Sequence, residues 1–312
     1  MTLAILCSGQ GPQHPQMFAL TGDAPEAANL FAHAATLFDG RDPRVMVRTD
    51  SDEALHQNRV GQILCTLQAL AATSVLLDVL PRRLIIAGYS VGELAAWNVA
   101  GLLDAAVTLD LAAQRAEVMD AASIDGDGLL FVRGLSLAAA EDLCRDHNVA
   151  VAIVNPGNAY VLGGTGAALD ALADKAEMIG AVRVVRLAVN VASHTPRLAS
   201  ASAQFRKVLG QAPIKLTTSK SGVRLFSGID GSAVMDISVG MDRLAEQISR
   251  SIQWEACLEG CVEAGATSFL ELGPGRALSE MASGAYPGIP ARSLEDFRTL
   301  TGVHTWLARV RC

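Results

Sequence analysis

A serine between two glycines is the first group in this sequence whose neighbours suggest chemistry. The segment 88–92, Gly-Tyr-Ser-Val-Gly, follows a predicted strand at Arg83–Ala87 and precedes a predicted helix at Glu93–Ala100. A strand, a Gly-x-Ser-x-Gly turn and a helix in this order are typical of a nucleophile elbow, whose tight turn exposes the serine Oγ above the edge of a sheet. Ser90 is therefore the predicted nucleophile of an acyl-transfer or hydrolytic reaction.

Such a nucleophile needs two backbone N–H donors for the oxyanion that forms when it attacks a carbonyl. The N–H of Val91, at the start of the following helix, is one candidate. The N–H of Gln10 is the second, because the loop Ser8–Gly11 follows the first predicted strand, Thr2–Leu6. Loops that follow parallel strands meet at one edge of the sheet. An ordinary glycine turn is the alternative interpretation of this loop.

The nucleophile also needs a base, for which histidine is the usual residue. His194 lies between a predicted strand, Val182–Leu187, and a helix predicted to begin at Pro196. A histidine at a helix entry without any role is the alternative. The other five histidines have ordinary positions on predicted loops or helix surfaces: His14, His33, His56, His147 and His304.

The elements that must position these groups suggest one domain interrupted by another. Residues 125–190 show the order β-α-β-β-α-β of a ferredoxin-like unit, and they follow a glycine- and aspartate-rich turn at Ser123–Gly128. The flanking parts, 1–124 and 191–312, predict one larger α/β domain. His194 would then stand where the chain returns from the insertion, which is a suitable place to build a cleft.

Composition excludes several classes of protein. Half of the 312 residues are hydrophobic and 18% are charged, which excludes intrinsic disorder. The net charge of −7, with no long basic block, argues against nucleic acid as the main partner. The uncharged stretches Val60–Leu77 and Val149–Leu169 contain polar residues, so we expect a buried helix and a strand pair rather than membrane spans.

The cysteines and the N-terminus bear on the cellular compartment. The six cysteines are scattered along the chain, and their spacing predicts neither a metal site nor a disulfide framework. The segment Met1–Leu6 has no basic region and no long apolar run, so we expect no signal peptide. We therefore expect a cytoplasmic protein with reduced thiols.

Taken together and in order, the motifs resemble those of malonyl-CoA:acyl-carrier-protein transacylases over nearly the whole chain. The motifs are Gly9-Gln10-Gly11-x-Gln13, the elbow with Glu93, Arg115-x-x-x-Met119, Ser193-His194, Gln253-Trp254 and Glu271-Leu272-Gly273-Pro274-Gly275. Within that family the chain looks most like the malonate decarboxylase epsilon subunit. Three features carry this finer resemblance: Tyr89 before the nucleophile, Glu-Leu-Ala-Ala-Trp at 93–97, and the tail segment 291–298.

The resemblance implies an α/β-hydrolase-like domain with the ferredoxin-like insertion and a role for each matching residue. Ser90 matches the nucleophile, His194 the base, and Gln10 and Val91 the oxyanion donors. The remaining matches are Arg115 for the malonyl carboxylate, the backbone carbonyl of Gln253 for orienting the histidine, and Gln62, Met119 and Asn155 for lining the acyl pocket.

Two positions depart from the family pattern and put local details in question. Cys7-Ser8 stands where the family usually has Phe-Pro, so we expect the loop that carries Gln10 to have a different shape. Tyr89 stands where the family usually has histidine, which bears on acyl selectivity.

The resemblance also implies the partners. It implies malonyl-CoA as substrate, no metal and no tightly bound cofactor, and an acceptor thiol on the phosphopantetheine-type arm of an acyl carrier protein, here the malonate decarboxylase carrier subunit. Carrier proteins are acidic, so we expect a local basic surface formed by Arg197, Arg206, Lys207, Lys215 and Lys220. The alternatives are a malonyl transacylase of fatty acid or polyketide synthesis, an acyl-CoA thioesterase, and a non-catalytic scaffold subunit.

Overall fold

A five-stranded parallel sheet forms the centre of the larger domain in the computed structural model, which describes residues 2–215 and 222–311. Its strand order is β10-β9-β1-β2-β7, and every neighbouring pair is parallel. The strands are β1 (Leu3–Cys7), β2 (Leu84–Gly88), β7 (Val223–Leu225), β9 (Ser268–Glu271) and β10 (Ala291–Ser293).

The central strands are apolar on both faces because helices cover the sheet on both sides. All residues of β1 and β2 are buried, and Ile5 pairs in register with Ile86 of β2 and with Leu270 of β9. The carboxyl ends of β1, β2 and β9 therefore meet at one edge. The glycine loop, the nucleophile elbow and Glu271 all follow or end these three strands at that edge.

The helices of the larger domain lie between and after these strands. They are α1 (Ala28–Thr36), α2 (Pro43–Thr49), α3 (Asp52–Leu55), α4 (Asn58–Leu76), α5 (Gly92–Val99), α6 (Ala105–Ala122), α9 (Ala199–Gln211), α10 (Ile237–Glu246), α11 (Trp254–Glu263), α12 (Ala277–Ala285) and α13 (Leu300–Arg311). The two helices that matter most for the site, α4 and α6, pack against each other.

The helix α4 is the uncharged stretch that had to be weighed as a membrane span. Together with the turn after it, residues 58–79 are long and apolar enough to cross a membrane, and 78% of the most apolar window is buried inside the protein. Gln62, Thr66 and Gln68 are all buried within this helix. Such burial is what the core helix of a globular protein shows, as the sequence predicts.

The smaller domain contains the predicted β-α-β-β-α-β order. Its elements are β3 (Asp127–Arg133), α7 (Leu137–His147), β4 (Ala150–Asn155), β5 (Ala159–Thr165), α8 (Gly166–Met178) and β6 (Arg183–Arg186). The four strands lie in the order β6-β3-β5-β4 and pair antiparallel. The element order is thus observed, while the domain boundaries at 124/125 and 190/191 stay a prediction.

A fifth strand in this small sheet comes from the larger domain. The two-residue strand β8 (Ile252–Gln253) pairs parallel with β4. Sequence gives little sign of so short a strand, because two residues show no periodicity. It joins the small sheet directly to the chain that leads into α11.

The sequence also predicts a helix near Met241–Arg250 and a helix that begins at an Asp104 cap. The first lies instead at Ile237–Glu246, because the Asp236 carboxylate caps it by accepting from the Val239 N–H. Asp104 does stand at the N-terminal cap position of α6, but its side chain makes no capping hydrogen bond there. Its carboxylate is instead 2.5 Å from Nζ of Lys215.

Candidate active site

Ser90 lies on a strained turn between β2 and α5. Its φ of +56° is in the left-handed region, which residues with a Cβ rarely adopt. The two flanking glycines are needed for close packing. A Cβ on Gly88 would lie 2.2 Å from the Glu93 nitrogen, and one on Gly92 would lie 2.1 Å from the Cys7 carbonyl oxygen. This is the geometry of a nucleophile elbow.

His194 contacts Ser90 directly. Its Nε2 is 2.8 Å from Oγ of Ser90, and its own φ of +62° is also in the left-handed region. The ring is 2% exposed. Burial, with a contribution from the charge of Arg115, lowers the pKa of His194 to about 3. The imidazole is therefore neutral at pH 7 and able to accept a proton.

The hydrogen bond on the far side of the ring fixes which nitrogen carries the proton. Nδ1 of His194 is hydrogen-bonded to the backbone carbonyl oxygen of Gln247. Because a carbonyl oxygen can only accept, Nδ1 must carry the hydrogen and Nε2 must face Ser90 with its lone pair. The backbone N–H of His194 also donates to the carbonyl of Ile248, at 2.8 Å. A backbone carbonyl thus takes the place that an aspartate has in a Ser-His-Asp triad.

The prediction that Gln253 supplies this carbonyl was wrong. Gln253 lies in β8, where its N–H donates to the carbonyl of Gly228 at 2.8 Å and its side chain donates to Ser251. The orienting residue is Gln247, the residue after α10. Sequence reasoning missed it because no motif marks it, and because the helix that places it was predicted four residues too far along the chain.

The two predicted oxyanion donors lie beside Ser90. The Val91 N–H stands at the N-terminal cap of α5, and a Cβ on Gly9 would lie only 3.5 Å from the Ser90 Cβ. Within residues 2–215 and 222–311, neither the Gln10 N–H nor the Val91 N–H has a hydrogen-bond acceptor. Both donors are therefore available to a bound oxyanion.

Arg115 is a buried cation with free donors. It lies in α6, is 1% exposed, and donates from Nη1 to Oε1 of Gln62 at 2.7 Å. Its Nε and Nη2 have no acceptor in the described part of the chain. Burial lowers its pKa to about 10, so it remains charged at pH 7. Its charge also contributes to lowering the pKa of His194.

The predicted acyl-pocket residues fall into two groups. Gln62 and Met119 lie with Arg115, since Nε2 of Gln62 is 3.4 Å from Sδ of Met119. Asn155 lies elsewhere, in a cleft of about 890 Å³ between the two domains, where Gln10 and Tyr89 also line the wall. Its Oδ1 is buried without a hydrogen-bond partner in the described part of the chain, and burial raises the pKa of the Tyr89 phenol.

Tyr89, the residue that departs from the family pattern, is held by aromatic packing. Its ring meets Trp254 edge-on, with 5.3 Å between the ring centroids. It lines the wall of the cleft and directly precedes Ser90 in the chain.

Two glutamates near the site are buried, and burial raises the pKa of each to about 7. Glu93, in the first turn of α5, accepts from the Gly228 N–H at 2.9 Å and from Nε2 of Gln247 at 2.8 Å. Glu271, at the end of β9, accepts from the Ser8 hydroxyl at 2.7 Å and from the Ser279 N–H at 2.8 Å. The Glu93 carboxylate therefore connects α5 with the segments that contain Gly228 and Gln247. These hydrogen bonds, and not the macrodipole of α5 alone, account for a glutamate at this position.

The predicted basic surface is largely neutralised. Arg197 pairs with Asp127, Arg206 with Asp242, and Lys215 with Asp104. Lys207 is exposed, and Lys220 lies outside the described residues. None of the four described residues lines the cleft. Two arginines that the sequence analysis did not single out do so: Arg133 and Arg183, which are register partners on β3 and β6.

No group of three or more histidine, cysteine, aspartate or glutamate side chains in the described part of the chain is arranged to hold a metal ion. The five cysteines in that part are free and buried. The site is therefore built from a serine, a neutral histidine, two backbone donors and a buried arginine.

Comparison with known proteins shows similarity over nearly the whole chain. Residues 5–267 match the family of acyl transferase domains. The chain is 30% identical over 302 residues to the malonyl CoA-acyl carrier protein transacylase of Mycobacterium tuberculosis, covering 94% of this chain and 96% of that protein. It is 26% identical to the malonyl CoA-acyl carrier protein transacylase of Haemophilus influenzae, covering 97% and 98%.

The structure also superposes on solved structures. The crystal structure of MCAT from Mycobacterium tuberculosis has a TM-score of 0.89 at 28% identity, over 99% of this chain and all of that one. The structure of the Coxiella burnetii malonyl CoA-acyl carrier protein transacylase has a TM-score of 0.90 at 24% identity, which supports the shared fold. The chain therefore belongs to the acyl transferase domain family.

Proposed function

We propose that the protein transfers a malonyl group from coenzyme A to the thiol of an acyl carrier protein through a malonyl-Ser90 intermediate. The observation that carries this is the buried Arg115, which has two nitrogens without an acceptor among the described residues and whose charge acts on His194 of the serine–histidine pair. Curated relatives that match over nearly the whole chain bear the transacylase name. A charged guanidinium with free donors in a dry site fits a carboxylate-bearing acyl group far better than a neutral one.

The reaction follows from the atoms at the site. The Ser90 oxygen attacks the thioester carbonyl while its proton passes to Nε2 of His194, and the oxyanion is held by the N–H groups of Gln10 and Val91. The C–S bond then breaks, and the coenzyme A thiol leaves with the proton from His194. In the second half the carrier thiol gives its proton to His194 and its sulfur attacks the carbonyl of malonyl-Ser90. The ester C–O bond then breaks and the Ser90 oxygen takes the proton back from His194, which completes a ping-pong transfer.

The cleft between the domains is the proposed path of the phosphopantetheine-type arm. It is lined by Tyr89 next to Ser90 and by Arg133 and Arg183 farther along β3 and β6. In the described residues neither of these two arginines has an ion-pair partner, although the Arg183 guanidinium lies over the Phe131 ring. They would meet the phosphate of the arm, a role for which the basic surface predicted from the sequence is less suited, because three of its four described residues are paired with aspartates.

The finer proposal is that the acceptor is the carrier subunit of malonate decarboxylase. Its support is Tyr89 in the wall of the cleft, the 93–97 sequence that buries Trp97, and the 291–298 segment that begins with β10. The alternative acceptor is a carrier of fatty acid or polyketide synthesis, which fits the names of the curated relatives. We also propose a cytoplasmic location, which agrees with the five free thiols.

A chase experiment tests both levels of the proposal. The protein is loaded with radiolabelled malonyl-CoA, freed of excess substrate, and mixed with the holo form of a malonate decarboxylase carrier subunit or of a fatty-acid carrier protein. We expect label to move to either carrier, and faster to the first. Faster transfer to the fatty-acid carrier would overturn the finer proposal, and release of free malonate without either carrier would overturn transfer in favour of a thioesterase.

A further inference from the structure

We propose that Glu93 is a positioning residue for the base: it holds the side chain of Gln247, so that the Gln247 carbonyl stays on Nδ1 of His194. This inference rests on the proposed function, because it takes Ser90 and His194 to be the nucleophile and the base. It concerns a residue three positions from the nucleophile whose carboxylate makes no hydrogen bond to Ser90 or His194 within the described residues.

The contacts form a closed path. The Glu93 carboxylate accepts from the Gln247 side chain at 2.8 Å, the Gln247 backbone carbonyl accepts from Nδ1 of His194, and Nε2 of His194 lies 2.8 Å from Ser90 Oγ. Ser90 and Glu93 are joined by the elbow itself, where the Glu93 N–H donates to the Ser90 carbonyl at 3.0 Å. The path therefore starts and ends on the same turn of chain.

The three residues that lead to Ser90 are out of water, so their geometry is set by the protein. Glu93 is 1% exposed, His194 is 2% exposed, and Gln247 is fully buried. A buried carboxylate without partners is costly, and a buried amide is costly too. The hydrogen bond between them gives the carboxylate a donor and the amide an acceptor. An arrangement of Gln247 that breaks this bond would leave both buried groups without that partner, and is therefore unfavourable.

The same carboxylate oxygen fixes a second segment. Oε2 of Glu93 also accepts from the Gly228 N–H, and the carbonyl of Gly228 accepts from the Gln253 N–H of β8. Because β8 pairs with β4 of the small domain, this branch links α5 to the small sheet. Gln253 thus does belong to the network around the histidine, through its N–H and not through its carbonyl.

A competing role for Glu93 acts through Arg115. The two charges influence each other across the buried site, since Glu93 favours the charged form of Arg115. If Glu93 served only to balance that arginine, its loss would affect substrates with a carboxylate and leave other reactions of Ser90 unchanged. If it positions His194, its loss must slow every reaction in which Ser90 gives up its proton.

The test uses Glu93→Gln, which keeps the side-chain volume and one acceptor, and Gln247→Met, which removes the amide and keeps the backbone carbonyl. Two rates are measured: single-turnover acylation by malonyl-CoA, and inactivation by phenylmethanesulfonyl fluoride, a serine reagent with no carboxylate. We expect each variant to lower both rates about tenfold with KM for malonyl-CoA unchanged, because Glu93→Gln removes the charge from this buried hydrogen bond and Gln247→Met removes the bond itself.

The double variant shows whether Glu93 and Gln247 act on His194 through the same hydrogen bonds or independently of each other. We expect Glu93→Gln with Gln247→Met to be no slower than the slower single variant, because one substitution weakens and the other removes the same hydrogen bond. A multiplied loss would overturn the proposal, and so would a loss confined to malonyl-CoA. Glu246→Gln is the matched control, because Glu246 is the exposed last residue of α10 and pairs with Arg250.

A proton NMR measurement tests the proposal without any substrate. The Nδ1 proton of His194, bonded to a buried carbonyl, is expected to give a resolved downfield resonance in the wild-type protein. We expect this resonance to shift or broaden in Glu93→Gln and Gln247→Met and to stay in place in Glu246→Gln. An unchanged resonance in a folded Glu93→Gln protein would overturn the positioning role, whereas a wild-type protein that never acylates Ser90 would instead overturn the proposed function.

Discussion

The two sides of Ser90 are built in opposite ways. On one side, His194 is held by hydrogen bonds at both ring nitrogens and at its backbone N–H. On the other side, the N–H groups of Gln10 and Val91 have no acceptor within the described residues. The proposed base needs one fixed tautomer and orientation, and hydrogen bonds to both ring nitrogens and to the backbone N–H provide them. The oxyanion donors act only when charge develops on a substrate, so the protein leaves them open.

Each side nevertheless rests on a buried glutamate. Glu93 ties the loop that orients His194 to the elbow, and Glu271 ties Ser8, at the start of the glycine loop, to the first turn of α12. The comparison shows that a glutamate next to a catalytic motif can be structural and still serve the reaction. It also suggests why Ser8 replaces the proline usual in the family: its hydroxyl is the donor to Glu271.

Removing the base should give the largest effect. We expect His194→Ala to lower the rate of Ser90 acylation by about 10³-fold, since general base catalysis typically contributes about 10²–10⁴. Stopped-flow measurement of coenzyme A release checks this. His33→Ala is a matched control, because His33 lies in α1 and pairs with Asp110 at the surface. A loss below tenfold would show that His194 is not the group that takes the proton from Ser90.

Arg115 should determine which acyl group is accepted. We expect Arg115→Ala to reduce the rate with malonyl-CoA about 100-fold more than the rate with acetyl-CoA, because hydrogen bonds to charged groups contribute about 1.5–3 kcal/mol each. Arg115→Lys should recover only part of the preference, since lysine lacks the planar pair of donors. Steady-state kinetics with both thioesters give the comparison. Equal losses for the two thioesters would contradict the carboxylate role.

Loss of the hydrogen bond between Ser8 and Glu271, which holds the glycine loop, should have a smaller effect. We expect Ser8→Ala to lower kcat about three- to tenfold with little change in KM, because it removes the hydrogen bond of about 1 kcal/mol that holds the loop to Glu271. Ser74→Ala is the control, since its hydroxyl bonds only within α4. An unchanged kcat would mean that the glycine loop keeps its place without Glu271.

The smallest effect concerns stability against pH. The pKa of Glu271 is raised from 4.5 to about 7 by burial, so the folded protein holds a proton between these values that the unfolded chain has lost. The stability from this group is therefore complete below about pH 4.5 and is lost as the pH rises towards 7. Relative to wild type, we expect the Tm of Glu271→Gln to be about 2–4 °C higher at pH 8 than at pH 5. A constant difference across calorimetric scans would contradict this.

Much of the fold could be predicted because its signals are local. Apolar runs marked β1 and β2, the glycines of the elbow marked a turn that only glycine permits, and the β-α-β-β-α-β order marked the small domain. The strand β8 could not be predicted, since two residues carry no pattern and their pairing with β4 is decided by tertiary packing.

The candidate site also has a part that the sequence predicts and a part that it does not. Ser90 and His194 stand in motifs, and the structure brings them into contact. The carbonyl of Gln247 could not be found from sequence, because a backbone group acts there and any residue type has one. The partnership of Glu93 with Gln247 also joins residues 154 positions apart and no spacing rule reveals it.

The central claim is that Ser90 carries a malonyl group between two thiols. Mass spectrometry of the protein after malonyl-CoA, before and after digestion, measures this directly. We predict a single malonyl group on the peptide that contains Ser90, stable until a holo carrier protein is added and absent from Ser90→Ala. An adduct on another residue, or no adduct together with unimpaired transfer by Ser90→Ala, would contradict the account.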